Sequence, residues 1–139
     1  DEFSLIIPKS HPFASKKQIT KEDLYHLNFI TLNSNSTIRK FIDNILSQNQ
    51  IETKQLKIIM QLNSIEGIKT AVSLGLGAAF VSSSAIEKEI ELKTIEIVKI
   101  EKIRITRTLS IISNPECYKS KAFEFFYREL LNLKNTLEK

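Results

Sequence analysis

Two hydrophobic periods alternate along this chain, and their succession sets the elements it predicts. Ile38, Phe41, Ile42, Ile45 and Leu46 fall at i, i+3, i+4, i+7 and i+8, the spacing of a helix with one apolar stripe. Ile65, Ile68, Ala71 and Val72 repeat that spacing after Asn63, which has Glu66 three residues on; this capping-box pattern predicts a helix start at Asn63 or Ser64. Gly75 follows the last periodic residue, where a left-handed position favours glycine, and Gly77 opens the apolar run Ala78, Ala79, Phe80 and Val81. That run predicts a short buried strand, ended by Ser82, Ser83 and Ser84. Apolar runs at 3–8, 28–32 and 56–62 predict further strands, and 20–27, opened by Thr20 with Glu22 and Asp23 behind it, predicts a short helix. From residue 94, Ile95, Ile97, Ile103, Ile105, Leu109 and Ile111 alternate with polar or charged residues, as in extended strands, with a turn at Glu101 and Lys102. A last helix, from about residue 119, gathers Ala122, Phe123, Phe126, Tyr127, Leu130, Leu133 and Leu137 on one face, which Phe125 and Leu131 widen.

Strands alternating with single helices predict an α/β fold: a mostly parallel sheet flanked by helices in three layers, followed by the C-terminal helix. The polar turn at 82–84 follows a predicted strand, and the carboxyl ends of strands are where open α/β sheets bind ligands, so the stretch 61–86 predicts the rim of a cleft. The last helix is apolar over more than one stripe and asks for partners on more than one side. With a chain that begins without methionine and runs straight into a strand, this reads as part of a larger protein.

Composition changes this picture little. A hydrophobic content of 42% and a charged content of 26% over 139 residues are those of an ordinary soluble domain. The net charge of +4 is modest and the lysines are scattered, which argues against nucleic-acid binding by this stretch itself. The abundance of isoleucine, lysine and asparagine reads as an AT-rich genome. No apolar run is long enough to cross a bilayer, and the start carries no signal-peptide pattern, so a cytoplasmic location is the expectation. The single Cys117 cannot form an intrachain disulfide, and no Cys/His cluster has metal spacing, so neither metal nor cofactor is predicted.

Candidate chemistry is confined to the turns. Residues 33–37 precede a helix, whose free N–H groups and dipole favour an anion, yet Arg39 and Lys40 stand in its first turn. Cations there oppose the dipole and point to something negative nearby; the competing reading has Ser36 capping the helix and Arg39 pairing with Asp43. Gly75 and Gly77 follow a helix and precede a strand, the reverse of a dinucleotide fingerprint. His11, His26 and Cys117 lack a partner at useful spacing, the serines at 82–84 lack a nucleophile elbow, and Glu87 and Glu89 fit a solvated helix face. No catalytic residue is predicted.

These pieces come in a particular order. His11-Pro12-Phe13-Ala14, residues 19–27, Ser34-x-Ser36-Thr37-x-Arg39, Ser64-Ile65-Glu66-Gly67-Ile68, Val72-x-x-Gly75-Leu76-Gly77-Ala78-Ala79-Phe80-Val81 and the helix at 123–130 together resemble the effector-binding domain of LysR-type transcriptional regulators, over almost the whole chain. Within that family, the stretch 63–82 is most similar to the RuBisCO-operon regulators of cyanobacteria and plastids.

The resemblance implies a periplasmic-binding-protein-like domain of two lobes. By it, residues to about 100 form the second lobe, 107–113 form a return crossover, and the last helix packs on a first lobe outside this sequence. It implies a small, often anionic metabolite bound between the lobes, and DNA contacted only through an N-terminal domain that also lies outside this sequence. It further implies a homodimer or homotetramer, in the cytoplasm or plastid stroma, with no enzymatic activity. By position, the second-lobe contacts come from Thr31, Leu32, Asn33, Ser34, Ser36 and Thr37, from Asn63 and Ser64, and from Phe80, Val81 and Ser82, with Arg39 as the cation. Ser82 stands where many relatives have proline. The rival readings are a solute-binding protein of transport, which a signal peptide would mark, and an α/β enzyme, which would need an acid or base absent from the turns.

Overall fold

The computed structural model describes all residues except 17, 115, 117, 138 and 139, together with the side chains of 134–137. Cys117 and the side chain of Leu137 therefore lie outside the described residues. The chain forms two units, residues 1–109 and 110–139.

The first unit is built on the strands β1 (Glu2–Pro8), β2 (Gln18–Ile19), β3 (Asn28–Leu32), β4 (Lys57–Leu62), β5 (Ala79–Ser82), β6 (Ile95–Ile100) and β7 (Ile105–Thr106), with helices α1 (Thr37–Gln48), α2 (Ile65–Ser73) and α3 (Glu87–Glu91). β1 lies between β5 and β6, with β2 beyond β6 and β7 beside the first residues of β1. β3 and β4 pair in parallel, and the single parallel bridge Phe29–Ala78 joins them to β5. β1 is antiparallel to β5, β6 and β7, so every strand except β1 runs in one direction. The sheet is mixed, and its one reversed strand is central.

Alternation in these strands divides the side chains between two faces. Phe3, Leu5, Ile7, Phe29 and Val98 pack on one face with Ile42 and Leu46 of α1 and with Leu24 and Leu27. Ile6, Ile30, Ala79, Val81 and Ile95 pack on the other with Ile68, Ala71 and Val72 of α2 and with Ile86. A register shift between Phe29 and Ile30 turns β4 over: Ile58 packs on the α1 side, Met60 and Leu62 on the α2 side, and Ile59 is left exposed. The helical periodicity read from the sequence is thus spent on the two outer layers.

Local signals end the helices with small differences from expectation. Ser64, not Asn63, caps α2, its Oγ accepting from Gly67 N at 3.4 Å, while Glu66 turns to Lys69 at 2.9 Å. Gly75, at φ 84°, lets its own N–H reach Val72 O at 2.9 Å and Leu76 N–H reach Ala71 O at 3.1 Å, closing α2 in a Schellman arrangement. Residues 22–26 form a tighter 3-10 turn rather than an α-helix, held by a reciprocal pair: Thr20 N donates to Asp23 Oδ2 at 3.0 Å and Asp23 N to Thr20 Oγ1 at 3.3 Å. The alternation after residue 103 yields only β7, because the ladder has β1 partners at Glu2 and Phe3 alone; Leu109 and Ile111 are exposed without a strand.

The second unit carries α4 (Lys121–Leu137), begun by Ser120, whose Oγ accepts from Phe123 N at 3.2 Å. Phe123 and Tyr127 stack one turn apart at 5.9 Å, and Phe125, Phe126 and Leu133 are exposed.

Gly77 is where β3 and β5 close on each other. Ala78 N donates to Asn28 O at 2.8 Å and Ile30 N to Ala78 O at 2.8 Å, and a Cβ on Gly77 would lie 2.6 Å from Asn28 O. Gly77→Ala is therefore expected to cost about 1–3 kcal/mol, through displacement of the bridge. Gly75→Ala, in open space but at positive φ, should cost about 1 kcal/mol. Urea unfolding of both variants checks the order; an equal or smaller loss at Gly77 would contradict it.

Candidate functional site

Because all strands but β1 share a direction, the carboxyl ends of β4, β3 and β5 and the start of β1 lie along one edge of the sheet. That edge carries Asn63 and Ser64 after β4, residues 33–36 after β3, Ser82 at the end of β5, and Asp1 before β1. Asn33 Nδ2 donates to Asn63 Oδ1 across the parallel ends of β3 and β4. Asn33, Ser34, Thr37, Asn63 and Ser64 are exposed. Ser36 caps α1, its Oγ accepting from Arg39 N at 3.4 Å. The three polar turns are thus brought to one rim.

The residues named from the sequence do not play equal parts there. Val81 is fully buried and Leu32 packs against the same α2-side core, so only their backbones can reach the rim. Phe80 points the other way, stacked on Phe29 at 5.8 Å. Thr31 lies beneath α1 and accepts from Arg39 Nη1 at 2.5 Å. Arg39 Nε donates to Asp43 Oδ2 at 2.7 Å, and its side chain is only 12% exposed. Of the two readings of that first turn, the cap and the ion pair are present, and the charge of Arg39 is already matched by Asp43.

A second cluster on the rim was not visible in the sequence. Ser82 Oγ donates to Asp1 Oδ1 at 2.6 Å and lies 2.9 Å from Ser84 Oγ, while Arg107 Nη2 donates to Asp1 Oδ2 at 2.5 Å. Beside them the hydroxyls of Ser4 and Ser83 meet at 2.8 Å. Asp1 and Arg107 are brought together by the β1–β7 ladder across a separation of 106 residues, which no local pattern announces.

Lys69 supports this rim from behind. It is 6% exposed, and its Nζ donates to Ala85 O at 2.8 Å and pairs with Glu66 at 2.9 Å and Glu89 at 3.1 Å. This fastens α2 and α3 to the turn Ser83–Ala85 that follows Ser82. The hydrogen bond to Glu66 is the largest influence on the ammonium and, with Glu89, outweighs its desolvation, so its pKa is raised. Glu89 is accordingly not on a solvated face, as its spacing suggests, but is largely buried against a cation.

Two hollows accompany the rim. One, of about 30 Å³, is an apolar gap under α1 lined by Phe29, Ile38, Ile42, Ile58 and Phe80, with Arg39 and Asp43. The other, of about 620 Å³, is a recess over β1 and β6 lined by Ser4, Gln18, Ile97, Lys99 and Lys102, where Arg104 grips Glu2 through two bonds of 3.0 Å and lowers its pKa. His11 caps the turn Pro12–Ser15 through Nδ1, 3.1 Å from Phe13 N, and burial lowers its pKa. Among the described residues, no group of three or more His, Cys, Asp or Glu side chains is placed to hold a metal ion, and no helix is long and apolar enough to cross a membrane.

Comparison with known proteins gives this edge a context. The family described as LysR substrate binding domain matches residues 1–134. A probable RuBisCO transcriptional regulator of Phaeodactylum tricornutum is 86% identical over 138 residues, which are 99% of this chain and 45% of that protein. One from Synechocystis is 58% identical over 131 residues, 94% of this chain and 38% of the other. The chain therefore spans less than half the length of these relatives. Among solved structures, the Synechocystis CcmR regulatory domain in complex with 2-PG superposes with a TM-score of 0.76 at 19% identity, covering 95% of this chain and 62% of that one. The effector-binding domain of QuiR in complex with shikimate gives 0.68 at 17%, covering 91% and 58%. At such identities the likeness speaks for the fold, a LysR effector-binding domain of periplasmic-binding-protein-like type.

Replacing Lys69 by methionine is expected to cost about 1–3 kcal/mol at neutral pH, since Glu89 and Ala85 O lose their partner. A lysine with a raised pKa stabilises the fold below its unfolded pKa, and that contribution is lost as pH rises through the folded value. The deficit of the variant should therefore be present at neutral pH and shrink above the usual lysine range. Urea melts of both proteins at neutral and strongly alkaline pH check this.

Proposed function

The chain belongs to the LysR substrate binding domain family, and on that basis we propose that it forms one wall of an effector cleft in a transcriptional regulator. The observation that carries the reading is the gathering of three polar turns on one edge of the sheet, with exposed hydroxyl and amide groups and two arginines behind them. The edge offers donors, and its carboxylate beside a hydroxyl, Asp1 at Ser82, is engaged by Arg107, so among the described residues it suits binding rather than turnover. Direct contacts come from Asn33, Ser34, Thr37, Asn63, Ser64 and Ser82, and Leu32 and Val81 contribute backbone groups.

The effector in this reading is a small anionic metabolite held against an opposing lobe outside this sequence. The solved relatives carrying 2-PG and shikimate support an occupant of that size and charge. The relatives' names support a regulator of RuBisCO genes. In this reading it acts in the cytoplasm or plastid stroma and reaches DNA through a separate domain of an oligomer. The effector works by binding one lobe arrangement more tightly than another; a tenfold preference biases the equilibrium by about 1.4 kcal/mol.

Titration calorimetry of the full-length protein with 2-PG, 3-phosphoglycerate, ribulose bisphosphate, NADPH and ATP tests this. At least one anion should bind, and the double change Asn33→Ala, Asn63→Ala should weaken it about tenfold, the loss expected from one or two charge-assisted contacts. Binding by none of the five, or binding indifferent to both asparagines, would contradict the reading.

A further inference from the structure

We propose that Arg107 is the cation that receives the effector's anionic group, and that the Asp1 carboxylate occupies its place until the effector arrives. This rests on the effector-cleft reading and names the contact that reading leaves open.

Arg107 sits on the rim, on the face shared with α1. Its guanidinium lies 5.1 Å over the ring of Phe3, a residue of the α1-side core, so the ring fixes the plane of the fork. Of its donors, Nη2 meets Asp1 Oδ2 at 2.5 Å, while Nε is buried with no hydrogen-bond partner among the described residues. A guanidinium that engages a carboxylate through one arm and leaves Nε idle is short of the two-point contact its geometry allows.

The Asp1 carboxylate shows what the place accepts. One oxygen takes Ser82 Oγ at 2.6 Å and the other takes Arg107 Nη2 at 2.5 Å, with Ser84 Oγ 2.9 Å from Ser82 Oγ. An oxyanion from outside, carboxylate or phosphate, would find the same two donors. The exchange needs no movement of the strands. Arg107 N–H donates to Asp1 O at 2.7 Å, a backbone bond that stays in place while the side chains change partners.

Arg39 is the weaker candidate. It has a carboxylate four residues along its own helix and the hydroxyl of Thr31, and it is 12% exposed against 34% for Arg107. An anion at Arg39 must compete with a neighbour fixed by the helix, whereas at Arg107 it competes with a side chain on a separate strand.

The test is calorimetry of the full-length regulator with 2-PG, ribulose bisphosphate and inorganic phosphate, on wild type and four variants. If Asp1 is an internal competitor, Asp1→Asn tightens anion binding, by about threefold or more, whereas a purely structural Asp1–Arg107 pair predicts weaker or unchanged binding on the same substitution. Arg107→Met should weaken binding about tenfold or more, Arg107→Lys by less, and Arg39→Met by less than about twofold. Thermal melts accompany each variant, and the direction of the Asp1→Asn effect decides the matter even where Arg107→Met fails to fold. Wild-type binding that survives Arg107→Met unchanged, or that Asp1→Asn weakens or leaves unchanged, overturns the assignment of Arg107 and leaves the cleft standing. Absence of binding in the wild type overturns the anionic-effector reading and this inference with it.

Discussion

The direction of β1 is the constraint on which the rest of the structure depends. It lies between β5 and β6 and runs against both. Its first residues therefore lie beside the last residues of β5, and Phe3 faces Ser82 across the ladder. Had it run with its neighbours, its proline end would meet the rim, and Asp1 would be at the far edge from Ser82. One reversed strand thus brings an acidic side chain, and through β7 an arginine, to an edge otherwise made of hydroxyls and amides.

Around that strand the fold keeps the rim stiff from both faces. On the α1 side, Phe3 meets Phe41 at 5.9 Å and Phe29 stacks on Phe80, so aromatic packing reaches to the rim itself. On the α2 side, a buried lysine does the same work with charge, tying the turn after Ser82 to two helices. Gly77 allows β3 to approach β5 closely enough for the Phe29–Ala78 bridge, which joins the two parts of the sheet. The strand ends and the turn after Ser82 are thus held in place from both faces of the sheet.

Much of this was legible in the sequence because it is local. The i, i+3, i+4 stripe of Ile38, Phe41, Ile42, Ile45 and Leu46 does lie on α1, and Gly75 does close α2 at positive φ. The polar turns at strand ends were legible for the same reason. The direction of β1 was not, since a strand's apolar pattern is the same read either way and direction is set by partners elsewhere in the chain. Asp1 and Arg107 carry no local signal on that account, and Glu89 reads as a solvated helix residue: each gains its meaning from a residue on another element. Arg39 shows the opposite case: the sequence offers both an anion and Asp43 as its partner, and the pair with Asp43 is present. Val81 was named for its position at a strand end, but the alternation of β5 turns it into the core.

Hydrogen exchange on the full-length protein, with and without saturating 2-PG or ribulose bisphosphate, tests most directly whether this edge is an effector wall. The backbone amides at 33–37, 63–64, 82–84 and 107 come from four separate elements and share only the rim, so they should gain protection together when the anion binds, with the core of α2 unchanged. Protection confined to other surfaces, or no change at the rim with either anion, would contradict the assignment.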